Sequence, residues 1–330
     1  MPEGDDKQTT AAPVLPPTHQ IAPLEGSPQN TGPAARASSG PGYRPRMTSR
    51  ASGTGVGPLL KSWREQRRIS QLELALRADS SARHISFVET GRSRPSEEMV
   101  LRLSEHLDVP VRERNALLLA AGYAPRFTET AMDDPSMAVV REALERLLRG
   151  YEPYPALVVD GTYTLVAANR GLALIMEGVP EHLLAPPANA MRVVLHPEGA
   201  AGRIRNYRQW RAHLLDQMER QIALDRSDAL RALYEEVAAY PPPEGADESD
   251  GDEGGAGGGA GGGEAGDAAA FALGNFALPL RIEHGGQVLT FLSSISTFNT
   301  PMDVTVAELA IETFLPADPA TAKYLMSALG

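Results

Sequence analysis

Apolar positions recur at three- and four-residue steps through residues 58–125, the period of short amphipathic helices. Leu59, Leu60 and Trp63 mark the inner side of a first helix over 58–67, with Arg64, Arg67 and Arg68 turned outward. Ser70 caps a second helix, because its hydroxyl can accept from the free N–H groups of the first turn. Leu72, Ala75 and Leu76 stand at helical spacing on it, and Ala78, Asp79 and Ser80 break it. Ser81 caps a third helix with Ala82, Ile85 and Val88 as its buried face, and Gly91 stops it. Ser96 caps a fourth, whose stripe is Met99, Val100, Leu103 and Leu107 and whose Glu97 and Glu98 suit the positive helix end. A fifth covers 110–121 and ends at Gly122.

What the third helix leaves outside is Arg83, His84, Ser86 and Phe87. With Ser81 and Ala82 at its start, Arg83, His84 and Phe87 lie where a helix docked in a major groove meets base edges. A solvated helical hairpin that binds no DNA would present the same face. The literal residues add to the pattern: Ile69-Ser70-Gln71, Leu74-Ala75, Ile85-Ser86, Val88-Glu89-Thr90-Gly91-Arg92 and Arg94-Pro95. Together they resemble the Xre (phage-repressor-like) helix-turn-helix family, without gaps. The resemblance implies a domain over 58–125 that binds double-stranded DNA. It implies a Gln71 that bonds a phosphate and braces the recognition helix, and a Glu89 that pairs within the domain. Arg92 and Arg94 flank that helix, where arginines meet backbone phosphates and set register. Asp79 stands where the family usually has Gly, and Asp is among the residues that tolerate a left-handed turn.

After a linker at 123–135 the pattern changes. A helix over 136–150 carries Met137, Val140, Leu144, Leu147 and Leu148 on one face. Two β-rich runs, 156–160 and 163–169, flank Gly161, and Asp-Gly is a hairpin signal. Short helices near 170–177 precede a long one over 203–224 and another that Ser227 caps. Runs 275–283 and 287–298 form a hairpin about Gly285-Gly286, 306–315 is a further β-rich run, and Pro319 opens a closing helix. This order predicts an α+β fold for residues 136–330: one five-stranded antiparallel sheet with helices over one face, as in PAS domains.

A second resemblance rests on Ala120-Ala121-Gly122-Tyr123-Ala124-Pro125, Tyr154-Pro155-Ala156, Ala168-Asn169-Arg170, Leu195-His196-Pro197-Glu198-Gly199, Asn206 with Trp210-Arg211, and 311–318. These look like the regulators with a C-terminal MmyB-like ligand-binding domain. The resemblance implies a PAS-like sensor for a hydrophobic or fatty-acyl ligand. Tyr207, Trp210 and Leu214 share a helix face that is either core or cavity wall, and Arg211 becomes a candidate partner for a ligand carboxylate. His196 reads as a structural histidine bonded to backbone.

Composition changes this picture at two places. Residues 1–57 hold Pro, Gly, Ser, Thr and Ala without apolar period and are expected to be disordered, with Met47 an alternative start. Residues 241–268 form a Pro-, acid- and Gly-rich insert expected to be a disordered surface loop, and eight of its acids fall within 244–267. The net charge of −11 is therefore concentrated there, while 58–125 has eleven Lys or Arg against nine Asp or Glu. DNA affinity must come from the placement of charge. The absence of cysteine excludes disulfides and thiolate metal sites. No apolar run approaches the ~20 residues of a membrane span and no secretory leader is visible, so a cytoplasmic protein is expected. No P-loop, nucleophile elbow or H-E-x-x-H pattern is present, so no enzyme, cofactor or metal is expected. A homodimer is expected, since one recognition helix reads too few base pairs alone. The rival reading is a non-catalytic interaction or dimerisation module attached to the DNA-binding helices.

Overall fold

The computed structural model describes residues 55–225, 227–243 and 277–330. The expected disordered tail, the alternative start at Met47 and residues 244–268 of the expected insert lie outside them, save for the last three residues of that tail.

Five helices build the N-terminal domain: α1 Val56–Gln66, α2 Gln71–Arg77, α3 Ala82–Glu89, α4 Glu97–His106 and α5 Val111–Ala120. The three serine caps form as expected, with Ser70, Ser81 and Ser96 each accepting from the backbone N–H three residues on, at 3.1, 3.1 and 3.2 Å. Asp79 takes the left-handed turn at φ 46° and Gly91 ends α3 at φ 72°. Leu60, Trp63, Ile85, Val88, Val100, Leu103 and Leu107 pack one core. On α2 the expected face holds only at Ala75. Leu74 and Ala75 are buried, whereas Leu72 and Leu76 are 61% and 75% exposed, because the helix turns its Leu74 side toward α3.

The second domain begins with a 3-10 turn Pro135–Met137 and α6 Ala138–Tyr151, followed by β1 Ala156–Val159 and β2 Leu165–Ala168. Then come α7 Arg170–Ile175, α8 Glu181–Leu184, α9 Ala190–Leu195, a 3-10 turn Ala201–Arg203, α10 Tyr207–Asp225 and α11 Asp228–Ala238. After the insert follow β3 Leu280–His284, β4 Gln287–Thr297, α12 Val304–Ala307, β5 Ala310–Pro316 and α13 Pro319–Leu329. The sheet runs β2-β1-β5-β4-β3 and every neighbouring pair is antiparallel. Both faces are covered, not one. α6 lays Leu144 and Leu148 on Val158 and Ile311, while α10, α11 and α13 close over the concave face.

Two local expectations change. The expected β1–β2 hairpin forms, and its turn is closed by Asp160 rather than by the Asp-Gly pair alone. Asp160 Oδ1 accepts from the N–H groups of Thr162 and Thr164, and Tyr163 supplies the left-handed residue at φ 60°. The β-rich run at 306–315 starts as helix, since Asp303 caps α12 by accepting from Thr305 N–H.

The two domains meet where Gln66 of α1 donates to Ala223 O of α10, and through the segment after α5 and the β4–β5 connection. Asn115 fixes the departing chain, donating to Phe127 O and accepting from the N–H groups of Arg126 and Phe127. Thr128 and Thr130 both donate their hydroxyls to Asp303, at 2.6 and 2.7 Å, and Val304 N–H donates to Thr128 O. Arg112 on α5 makes a bidentate pair with Glu308, at 2.6 and 2.9 Å, and a further bond to Glu129. No helix among the described residues is long and apolar enough to cross a membrane.

Candidate nucleic-acid interface and sensor face

The third helix is held from behind by a carboxylate. Glu89 ends α3 with its side chain 1% exposed, and Arg64 of α1 donates to both its oxygens at 2.6 and 2.9 Å. Arg64 was expected to face outward; it is buried by this pair and also donates to Ile69 O. The bond to Glu89, above all, raises the Arg64 pKa. Gln71, the first residue of α2, donates to Glu89 Oε2 at 2.7 Å. One carboxylate thus ties α1 and α2 to α3, and the bracing expected of Gln71 runs through Glu89.

With its rear fixed, α3 presents a ridge. Phe87 lies between two guanidinium groups, that of Arg83 at 5.2 Å and that of Arg92 at 5.9 Å from the ring centroid. Such stacking limits the rotamers of both cations before any ligand arrives. Neither Arg83 nor Arg92 has a carboxylate partner among the described residues, and both are exposed. Ser81 accepts from His84 N–H and so fixes the helix start beside Ala82. Arg94 differs from Arg92. Its Nε donates to Ala121 O, a second nitrogen donates to Gly122 O, and its guanidinium stacks over Tyr123, so it closes the end of α5.

In the second domain Tyr207, Trp210 and Leu214 are all buried beneath the concave sheet face, the core alternative of the two. Arg211 donates to Ala238 O at 2.7 Å and caps α11, while its Nε is buried without a hydrogen-bond partner among the described residues. His196 accepts from Glu198 N–H through Nδ1 and packs edge-on against Tyr240, which agrees with the structural reading. Strand register decides which apolar residues face inward. Leu157, Val159, Leu280 and Ile295 lie on the concave side, and Leu292 and Ile311 on the other. The same register places a residue the sequence reading passed over, Glu312, on the concave face opposite Leu157 and Ile295. Its alternation with Ile311 and Thr313 was the available signal.

A braced helix-turn-helix with an unpaired basic ridge, joined to a five-stranded sheet domain, is the build of a DNA-binding regulator with an attached sensor. Family comparison agrees on both halves: a helix-turn-helix model matches residues 60–114, and the MmyB-like transcription regulator ligand binding domain matches residues 140–328. The chain belongs to the MmyB-like transcription regulators. Among solved structures it is similar to the clp gene regulator ClgR from Corynebacterium glutamicum at 25% identity, over 30% of this chain and 90% of that one, with a TM-score of 0.18. Comparison with curated proteins gave no match.

Proposed function

We propose that the chain is a sequence-specific transcription regulator in which α3 enters the major groove of double-stranded DNA and the C-terminal domain senses a small, largely apolar molecule. Arg83 is the base reader, since its forked donor suits guanine O6 and N7. His84, Phe87, Ser81 and Ala82 meet the groove around it, and Arg92 neutralises phosphate. Arg94 acts behind this face by holding α5. The observation that carries the reading is the Arg83–Phe87–Arg92 ridge, its two arginines exposed and without acidic partners among the described residues, on a helix fixed by Glu89. The protein acts as a homodimer on paired half-sites, and the reading assigns it no catalytic step.

Fluorescence anisotropy with duplex DNA from upstream of its own gene, against random duplex, tests the proposal. Binding that prefers the upstream duplex and weakens with salt is expected. Equal affinity for both duplexes would remove the sequence-specific reading. Light scattering at saturating protein should give two chains per site, and one chain per site would remove the dimer.

A further inference from the structure

The concave face of the sheet carries a carboxyl group with little to hold it. Glu312 lies on the central strand β5, between Leu157 of β1 and Ile295 of β4. Ser293 Oγ donates to Oε1 at 2.6 Å, and the second oxygen has no hydrogen-bond partner among the described residues. No Lys, Arg or His forms an ion pair with it there. Protein surrounds the side chain on most sides, yet it is not fully buried. Burial pushes its carboxyl pKa up, against the Ser293 bond. A carboxyl enclosed with a single neutral donor is costly, and such groups concentrate at functional sites.

The way in is open. A cleft of about 1760 Å³ between α4–α5 and the second domain is lined by Thr297 and Ala310, which face each other across β4 and β5. That pair is the row next to Ile295–Glu312–Leu157 on the same face. Ile295 is 47% exposed, so the row containing Glu312 is uncovered on its β4 side. Asp160, Asp225 and Glu308 also line the cleft, and Glu308 is matched by Arg112. The field on this path favours a cation. Arg211, the residue expected to greet a ligand carboxylate, is engaged with Ala238 O and belongs to the α10–α11 contact.

We propose, building on the sensor reading, that this face binds an amine-bearing apolar molecule, whose ammonium group bonds Glu312 and whose hydrocarbon lies against Ile295, Leu157 and Phe314. A fatty acid would instead bring a second carboxylate to Glu312.

The test is calorimetry on the full chain with decylamine and decanoate below their micelle concentrations. Decylamine should bind and decanoate should bind at least about tenfold more weakly, the scale of one charge-assisted hydrogen bond. Glu312→Gln should lose about tenfold for decylamine, while Glu142→Gln, which removes one charge from the exposed side of α6, should lose nothing. Ile295→Trp fills the same row without replacing the carboxyl and should block decylamine, so the idea stays testable if Glu312→Gln misfolds. Equal binding of the two probes, or decylamine binding indifferent to both Glu312→Gln and Ile295→Trp, overturns the proposal. Anisotropy on ligand-free protein separates the two readings: DNA binding without amine binding leaves the regulator standing and removes only this site.

Discussion

Glu89 faces away from the exposed side of α3, yet the placing of that helix depends on it. Its partner Arg64 has a side chain only 10% exposed, so Glu89→Ala leaves a buried cation with, for a carboxylate, only a 3.8 Å contact to the exposed Glu65. That loss costs about 3–5 kcal/mol, to be measured by urea unfolding. Replacing both Glu89 and Arg64 by Leu should cost much less, because no charge is then left alone. On the outer side, Arg83→Ala should cost ~1–3 kcal/mol on the preferred duplex and relax choice at one base pair. Arg92→Ala should weaken all duplexes alike and flatten the salt dependence. Equal losses on preferred and random DNA for Arg83→Ala would return Arg83 to the phosphate class. Glu312 makes a pH prediction. Its folded pKa lies above the ordinary 4.5, so the native state holds the proton longer than the unfolded state. Stability from this group is present at acid pH and falls as pH rises past 4.5. Glu312→Gln should therefore raise Tm near about pH 7 and give no gain below about pH 4. A gain that persists unchanged in acid would mean the carboxyl is not held neutral by burial.

Elements were legible where local chemistry decides them. Serine caps, the left-handed turns at Asp79 and Gly91, and the Gly285-Gly286 hairpin follow from one to four neighbouring residues. The α2 face was not legible, because a seven-residue helix with Leu72, Leu74, Ala75 and Leu76 has two apolar stripes and only packing on α3 selects one. Arg64 was misread for a related reason: its partner is 25 residues away, and a cation at a helix edge defaults to solvent. In the candidate site, the exposed set on α3 was readable from its period. Glu312 needed the register of three strands. One close approach carries its own test. A Cβ on Gly57 would sit 2.3 Å from Val88 O and 2.7 Å from Glu89 O, both backbone atoms. Gly57→Ala must therefore push α1 away from α3, at a cost of about 1–3 kcal/mol. It should also disturb the Arg64–Glu89 bond and weaken DNA binding. An alanine variant with unchanged Tm would show that α1 can shift without loss.

At the scale of the whole chain, the question is how a ligand on the sheet is felt by a helix in DNA. A ligand moves the DNA equilibrium only if it favours one arrangement of the two domains. Among the described residues, the present arrangement is held by Gln66 of α1 on Ala223 O and by the contacts of Arg112 and Asp303. Arg112 of α5 grips Glu308 and Glu129, and the Glu308 bond foremost raises the arginine pKa. Asp303 gathers the hydroxyls of Thr128 and Thr130. Both Asp303 and Glu308 sit in the β4–β5 connection, and Glu308 is four residues from Glu312 along the chain. Arg112 is 37% exposed, so its pairs contribute little to stability, about 1 kcal/mol or less. Their effect should instead appear in coupling. Arg112→Ala alone should leave Tm nearly unchanged, whereas adding Asp303→Ala removes the α12 cap, should cost about 0.5–2 kcal/mol and should speed hydrogen exchange of the Val304 amide, which now donates to Thr128 O. The double change should also alter affinity for the preferred duplex, although Arg112 faces the sensor. High salt should reproduce part of the Arg112 effect in the unaltered chain, because these pairs are only partly shielded. If exchange at Val304 rises while DNA affinity stays constant, the two domains are joined here but do not communicate here.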